Sequence, residues 1–312
     1  MLQLRSSLTA VLFGAFALAG LRAQTASVSI PAWIETNTCD ASPKFEASLN
    51  GRPVAVTAQS GPSSDQLILV VLDLTGDLSL IDAAKTGLIS AIAKLPPNAW
   101  VGLLRDQDGL HVLSDPGADR RPATDAIHSL SNSGEPGLLE TVISALTLAD
   151  TLMRQSPVRV SVLYVTDASI YRYREDYTNP VINQSDPHDL SRRFPEALIE
   201  DKISRLVGDA GSLQAPLFVV QLNYQSDRLN RAYQNGLDTL SAATGGKGVI
   251  CRSAGEIPDA ISDVLARISS AWRVTLALPA KTRTNVQIQL SAPCSGGDPR
   301  ISWRTHFHPK EG

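Results

Sequence analysis

Two aspartates that directly follow apolar runs are the first candidates for chemistry in this chain. Asp73 ends the run LILVVLD and opens the turn DLTGD, which also contains Thr75 and Asp77, while Asp167 follows the run VRVSVLYVT. Carboxylate and hydroxyl oxygens suit a hard divalent cation, Mg²⁺ or Ca²⁺, with water completing the shell. The candidate metal ligands are therefore Asp73, Thr75, Asp77 and Asp167.

The same turn has a structural interpretation that needs no metal. Asp73 and Asp77 precede a predicted helix. At such positions an acidic side chain accepts backbone N–H bonds and complements the helix dipole. Metal binding and helix capping are both retained as hypotheses.

A polar loop after Asp167 is the second candidate feature. It extends to residue 194, whereas connections in α/β folds usually have about two to six residues. The loop is rich in two residue types, namely Tyr171, Tyr173 and Tyr177 together with Arg172 and Arg174. Tyrosine and arginine are over-represented at protein interfaces, so these five residues are candidates for partner binding. The alternative is an ordinary polar loop built from turns.

The pattern of elements indicates how these side chains are positioned. The continuous apolar run at residues 67–72 predicts a strand buried on both faces, and residues 158–166 repeat this buried-strand pattern. Helical periodicity is clear at residues 81–95 and 138–154. Further strands and helices alternate up to residue 272, which favours an α/β fold with a doubly wound, mostly parallel sheet and helices on both faces. Ligands bind such sheets at the carboxyl ends of the strands. Asp73 and Asp167 meet there if their strands are neighbours.

Two β-rich flanks border this predicted domain of residues 66–272. The N-terminal flank, residues 24–65, contains the hairpin signal Asn50-Gly51, and the C-terminal flank, residues 273–312, alternates apolar and polar residues. A two-stranded ribbon alone is marginally stable. We therefore expect the flanks to pair with each other or to cover one end of the sheet.

The first 23 residues predict export. Arg5 is followed by an apolar run at residues 8–19, and small residues at Ala19 and Ala23 provide two cleavage positions. The run is shorter than the roughly 20 residues that span a bilayer, and no second apolar span follows. We predict a signal peptide, a secreted or periplasmic protein and no membrane span after cleavage. The alternative is an uncleaved N-terminal anchor.

The three cysteines permit at most one intramolecular disulfide. Cys39 and Cys294 lie in different flanks and are the disulfide candidates in an oxidising compartment. Cys251 lies in an apolar strand, where a cysteine usually acts as a small hydrophobic residue.

Composition limits the possible function classes. The 312 residues include 28 basic and 31 acidic side chains, a net charge of −3, which argues against a nucleic-acid partner. Hydrophobic residues make up 43% and charged residues 19%, so the chain can bury a core.

The order of elements and the residues at the strand ends resemble a von Willebrand factor type A domain of the bacterial secreted type. In that family an adhesion site combines an Asp-x-Ser-x-Ser turn, a threonine from a later loop and an aspartate after the fourth strand. By this resemblance Asp73 and Asp167 match the aspartates, Thr75 replaces the first serine and Asp77 stands at the second. Gly137 stands where the threonine is expected, so the resemblance implies a degenerate metal site.

The resemblance implies a noncatalytic module that binds a protein or a cell-surface component, with an Mg²⁺ or Ca²⁺ ion as its cofactor if the incomplete site still holds one. One alternative is a metal-free structural or assembly module. Another is a phosphatase of the haloacid dehalogenase type, which needs a second aspartate two residues after its nucleophile. Thr75 occupies that position here.

Overall fold

The computed structural model describes residues 26–36, 42–173, 195–279, 285–293 and 299–309. Several predictions concern residues outside these ranges. They are the signal segment 1–23, the disulfide candidates Cys39 and Cys294, and the loop residues Arg174 and Tyr177.

The described strands follow in chain order: β1 Ser27–Thr36, β2 Glu46–Leu49, β3 Arg52–Val54, β4 Val56–Ser60, β5 Gln66–Asp73, β6 Ala99–Asp106, β7 Leu110–Gly117, β8 Arg159–Thr166, β9 Leu217–Gln221, β10 Lys247–Ile250, β11 Trp272–Ala277, β12 Val286–Ser291, β13 Arg300–Trp303 and β14 His306–Phe307. The described α-helices are α1 Leu78–Ala93, α2 Arg121–His128, α3 Leu138–Gln155, α4 Pro195–Ala210, α5 Arg228–Ala243 and α6 Ile257–Ser270.

A six-stranded sheet with the order β10-β9-β8-β5-β6-β7 forms the centre of the molecule. All neighbours are parallel except β6 and β7, which form an antiparallel pair. Alternate residues of β5 face opposite layers. Ile68 packs with α1, α2 and α6 on one face, and Leu69 packs with α3, α4 and α5 on the other. The predicted doubly wound α/β fold is confirmed, and β5 and β8 are neighbours.

The two flanks combine into a β-sandwich. Its sheets have the orders β13-β1-β11-β4 and β14-β12-β2-β3, so each sheet contains strands from both ends of the chain. Asn50 and Gly51 have φ angles of 50° and 76° and form the tight turn between β2 and β3. The expected pairing of the flanks is thus observed. The α/β unit is inserted between β4 and β11.

The buried Arg159 and the half-buried Arg273 connect the sandwich to the α/β unit. Arg159 at the start of β8 donates Nη1–H to the Ala271 carbonyl at 2.7 Å, and Arg273 in β11 donates to the Val158 carbonyl at 2.7 Å. Burial, with the nearby charge of Arg273, lowers the pKa of Arg159 to about 10, so the guanidinium remains protonated at neutral pH.

The alternation of apolar and polar residues over 301–307 predicts one strand, but the structure contains two, β13 and β14. Arg304 lies between β13 and β14 with 1% of its surface exposed. Its guanidinium donates hydrogen bonds to the carbonyls of Leu213 and Gly211, just beyond α4. The strand breaks here because Arg304 turns inward to satisfy those carbonyls.

Within the described ranges, no helix combines the length and the apolar character needed to cross a membrane.

Candidate functional site

Three buried aspartates converge at the carboxyl edge of the central sheet. Asp73 ends β5, Asp106 ends β6 and Asp167 follows β8. Because β5 lies between β6 and β8, its carboxyl end is flanked by both other chain segments. The Asp167 N–H donates to the Asp73 carbonyl at 3.3 Å. The neighbouring strands bring Asp73 and Asp167 to one edge, together with a third carboxyl group.

Asp73 is fully buried and has two hydrogen-bond donors. Its Oδ1 accepts the Gly137 N–H at 3.2 Å, and its Oδ2 accepts the Thr166 hydroxyl at 2.9 Å. Burial, reinforced by the neighbouring Asp106 carboxyl group, raises the pKa of Asp73 well above its ordinary value. Asp73 therefore links the end of β5 to the loop that precedes α3.

Asp167 holds the turn between β5 and α1. Its Oδ1 accepts the Thr75 N–H at 2.8 Å and its Oδ2 accepts the Gly76 N–H at 2.6 Å. Burial raises the pKa of Asp167, although these two bonds and the charge of Arg172 act in the opposite direction. Both carboxylate oxygens of this predicted ligand are engaged with the backbone.

Thr75 and Asp77 have different environments. Thr75 is buried, and its Oγ1 has no hydrogen-bond partner among the described residues. Asp77 is exposed and is the N-cap of α1, since its Oδ1 accepts both the N–H and the hydroxyl of Ser79 at 2.8 Å. These bonds lower the pKa of Asp77. Asp77 therefore caps α1, as the capping hypothesis predicts. Asp73 does not cap this helix, because its side chain accepts hydrogen bonds from Gly137 and Thr166.

Asp106 is a site residue that the sequence interpretation missed. Its side chain is buried and Oδ2 accepts a hydrogen bond from the Thr141 hydroxyl, which also lies 3.0 Å from the Tyr164 hydroxyl, while Oδ1 has no partner among the described residues. Burial raises its pKa to about 6. The sequence DQDG at residues 106–109 favours a hairpin turn, and this pattern alone gives Asp106 no role in the site. The available signal was the run WVGLLRD, which ends in an aspartate as β5 does.

The carboxyl group of Asp106 fills the space beside Gly137. A Cβ atom built on Gly137 would overlap with Asp106 Oδ1. Gly137 has a φ of −123°, which lies outside the left-handed region that favours glycine. The glycine is therefore required by the proximity of Asp106 and not by the backbone conformation.

The predicted metal-ligand set is assembled only in part. The Asp77 side chain accepts a hydrogen bond at the start of α1, and Gly137 has no hydroxyl group to act as a ligand. Both oxygens of Asp167 accept backbone N–H groups. In the ranges that the structure describes, no group of three or more His, Cys, Asp or Glu side chains could hold a metal ion. The buried, unpartnered Thr75 Oγ1 and Asp106 Oδ1 are nevertheless the kind of oxygen atoms that a hard cation takes as ligands.

The predicted partner-binding residues separate into exposed and buried positions. The Tyr171 side chain is 55% exposed, and its hydroxyl donates to Asp227 at 3.0 Å. Arg172 lies beside Gly76 and Asp167. Tyr173 is buried, with its hydroxyl 2.7 Å from that of Tyr233. Tyr173 thus belongs to the core in this structure, because α5 supplies an aromatic and hydroxyl partner.

Further exposed apolar side chains lie at the same edge. Leu78, at the start of α1, is 61% exposed, and Tyr224, in the loop after β9, is 42% exposed. The Arg252 guanidinium lies over the Tyr224 ring, 5.9 Å from its centroid. We call Leu78, Tyr171, Tyr224 and Arg252 the edge patch.

No protein-family model matches the chain, and no curated protein matches its sequence. Solved structures of von Willebrand factor type A domains are similar to it. One is a von Willebrand factor type A protein from Catenulispora acidiphila, with 12% identity and a TM-score of 0.45, over 91% of this chain and 74% of that one. Another is BatB from Bacteroides thetaiotaomicron, with 13% identity and a TM-score of 0.41, over 66% of this chain and 99% of that one. The PilB minor pilin from Streptococcus sanguinis is 11% identical with a TM-score of 0.47, over 70% of this chain and 64% of that one.

Proposed function

We propose that this chain is an exported, noncatalytic protein-binding module whose contact surface is the carboxyl edge of the central sheet. One observation carries the proposal. Three large hydrophobic side chains of the described part of the chain are exposed at this edge, namely those of Leu78, Tyr171 and Tyr224. They follow β5, β8 and β9, so the order of the sheet brings them to one side of the molecule.

The edge patch has the composition and the rigidity of a recognition surface. Aromatic residues and arginine dominate binding energy at interfaces, and loops on a rigid scaffold commonly carry function. Tyr171 is held by Asp227, and the Tyr224 N–H donates to the Cys251 carbonyl at 2.9 Å. Groups already held in one conformation lose less entropy on binding.

The environments of the candidate nucleophiles support a noncatalytic role. Asp73 has no exposed surface and both its oxygens accept hydrogen bonds, so it is not accessible to a phosphate group. Burial raises the pKa of the Cys251 thiol to about 11, which disfavours the reactive thiolate. Thr75 stands where a phosphatase of the haloacid dehalogenase type needs its second aspartate.

Export is the part of the proposal that depends on residues 1–23. Their charge, apolar run and small residues fit a signal peptide, which would deliver the protein to the periplasm or the exterior. The partner would then be a protein or another component of the cell surface.

A photo-crosslinking experiment tests the contact surface. One bait carries a photoreactive amino acid in place of Tyr224, and a control bait carries it in place of Trp100, which is 40% exposed near the opposite end of the sheet. We expect the first bait to capture a partner from the surface fraction of the source cells and the control not to capture it. Capture from position 100 alone would contradict the proposal.

The captured protein is then purified and its affinity measured. We expect Tyr224→Asp to weaken binding by about tenfold or more, as for interface hot spots, and Trp100→Asp to leave it unchanged. Equal affinities for the two variants would exclude the edge patch as the contact.

A further inference from the structure

We propose that a small monovalent anion, either chloride or the carboxylate group of a small organic acid, binds to Arg273 in a cavity between the β-sandwich and the central sheet. The cavity lies at the start of β8, whereas the edge patch lies beyond the carboxyl ends of the strands. The inference goes beyond the proposed function and is tested without a partner protein.

The cavity lies where strands of the sandwich meet the start of the central sheet. It is lined by Ser29 in β1, Arg159 and Ser161 in β8, Gln214 before β9 and Arg273 in β11, among others. None of the described residues that line it is acidic. Its volume is about 20 Å³, which is room for one or two groups of the size of a water molecule.

Arg273 points away from the sandwich core. Its neighbour Val274 packs in that core, and successive side chains of a strand point to opposite faces. Arg273 Nη1 donates to the Val158 carbonyl at 2.7 Å, and this is the one hydrogen bond that the guanidinium makes to the described residues. Nε and Nη2 therefore remain as donors, and such a pair of donors matches the two oxygens of a carboxylate.

Arg159 and Arg273 bring two positive charges to this region. Burial and the charge of Arg273 lower the pKa of Arg159 to about 10, so the two guanidinium groups are close enough to repel each other. The carbonyls of Ala271 and Pro62 accept hydrogen bonds from Arg159 but do not neutralise its charge. Within the described ranges neither arginine forms an ion pair. Because buried charges are usually paired, an anion beside Arg273 would compensate both charges.

Two further hydrogen-bond donors line the same cavity. Gln214 Oε1 accepts the Ser29 N–H at 2.6 Å, which fixes the orientation of the amide and leaves Nε2 as a donor. Neither this Nε2 nor the Ser161 hydroxyl has a partner among the residues that the structure describes. Guanidinium and amide N–H groups donate only, so their preferred ligand is an acceptor with negative charge.

The size of the cavity limits the anion. Room for one or two water-sized groups suits a chloride ion or the two oxygens of a carboxylate. Gluconate is much larger and serves as the reference anion at equal ionic strength. A water molecule is the other possible occupant, but it would leave the two positive charges uncompensated.

The line width of the chloride NMR signal measures chloride binding. We expect saturable broadening with the wild type. Arg273→Met keeps the length of the side chain and should weaken binding by at least about tenfold, because it removes hydrogen bonds to a charged ligand. Arg231→Met is the matched control, since Arg231 is exposed on α5 and does not line the cavity. It should bind chloride like the wild type.

Added acetate distinguishes the two sources of the anion. Narrowing of the chloride signal by acetate, at constant ionic strength, would show that a carboxylate competes for the site. Broadening that persists at high acetate would identify chloride as the ligand.

A second variant supplies the negative charge from the protein itself. Gln214→Glu places a carboxylate in the wall of the cavity, and its Oε1 can still accept the Ser29 N–H. The variant should lose chloride binding, because its own carboxylate compensates the arginines and repels a further anion.

Thermal unfolding separates loss of binding from loss of folding. Circular dichroism in gluconate reports on the fold of each variant. Exchange of gluconate for chloride should raise the Tm of the wild type and of Arg231→Met, because a ligand bound only by the folded state stabilises it. The Tm of Arg273→Met and of Gln214→Glu should not respond to this exchange.

Two results would overturn the proposal. One is a wild type that shows no saturable chloride broadening and whose Tm responds to neither chloride nor acetate, which would assign the cavity to water. The other is equal chloride binding by folded Arg273→Met and by Arg231→Met. Neither result bears on whether the edge patch contacts a partner.

Discussion

Asp167 and Gly76 are in such close contact that a Cβ atom at residue 76 would overlap with the Asp167 carboxylate. Asp167 Oδ2 accepts the Gly76 N–H at 2.6 Å, and a Cβ on Gly76 would overlap with the same oxygen and lie 3.1 Å from Arg172 Nη1. Asp167 thus fixes the path of the backbone between β5 and α1. The positions of Thr75 and Leu78 depend on this turn.

Gly76→Ala should therefore destabilise the protein. The added methyl group must displace the Asp167 carboxylate, and forced overpacking costs about 1–3 kcal/mol. Urea denaturation measures the free energy of unfolding. Gly208→Ala is the control, since nothing lies within 4 Å of its Cβ position in α4. The control should gain about 0.5–1 kcal/mol from helix propensity. Equal stabilities of Gly76→Ala and wild type would contradict the steric argument.

Arg304→Met should loosen the attachment of the sandwich to α4. The guanidinium donates to the carbonyls of Leu213, Gly211 and His306, and all three would lose this donor, although Gly211 would still accept the His308 N–H. An unsatisfied buried group costs about 1–3 kcal/mol, so the loss should reach at least that range. Arg121→Met removes an exposed ion pair with Asp119 and should have no measurable effect. Equal denaturation midpoints for the two variants would show that the buried bonds contribute nothing.

The stabilising effect of Glu35 should depend on pH. Hydrogen bonds from Ser302 and then Arg267 lower the pKa of Glu35 below its ordinary value of 4.5 in the folded state. A carboxyl group with a lowered pKa stabilises the fold above its unfolded pKa, and the effect is lost as the pH falls through the folded pKa. Glu35→Gln should therefore lower the Tm at neutral pH, and the difference from the wild type should shrink as the pH falls below 4.5. A difference in Tm that persists unchanged at low pH would exclude ionisation as its cause.

Thiol titration tests the cysteine assignments. Cys251 is 1% exposed and burial raises its pKa to about 11, so it should react slowly with a thiol reagent in the folded protein. If Cys39 and Cys294 form the predicted disulfide, unfolding in guanidinium should release one reactive thiol. Prior reduction should increase the number to three. Three thiols in the unreduced protein would disprove the disulfide.

The fold class was predictable because its signals are local. The continuous apolar run of β5 and the predominantly apolar sequence of β8 identified strands covered on both faces, and Asn50-Gly51 identified the turn between β2 and β3. The pairing of the flanks followed from the marginal stability of an isolated ribbon. The break at Arg304 could not be predicted, because it depends on carbonyls that α4 and its following loop supply from about 90 residues away.

The sequence by itself determined that Asp73 and Asp167 follow strands of one α/β sheet, and the strand order then showed that the two strands are neighbours. Only the tertiary structure decided what each side chain does there. The Asp77 carboxylate accepts the Ser79 N–H, and the Asp167 carboxylate accepts backbone N–H groups of the turn between β5 and α1. Tyr173 packs in the core with its hydroxyl close to that of Tyr233, and the Asp106 carboxyl group occupies the space beside Gly137. The physical reason is that the hydrogen-bond donors and acceptors nearest to a carboxyl or hydroxyl group determine its orientation and its role. Apart from a local partner such as Ser79, those neighbours come from strand order and from loops distant in sequence.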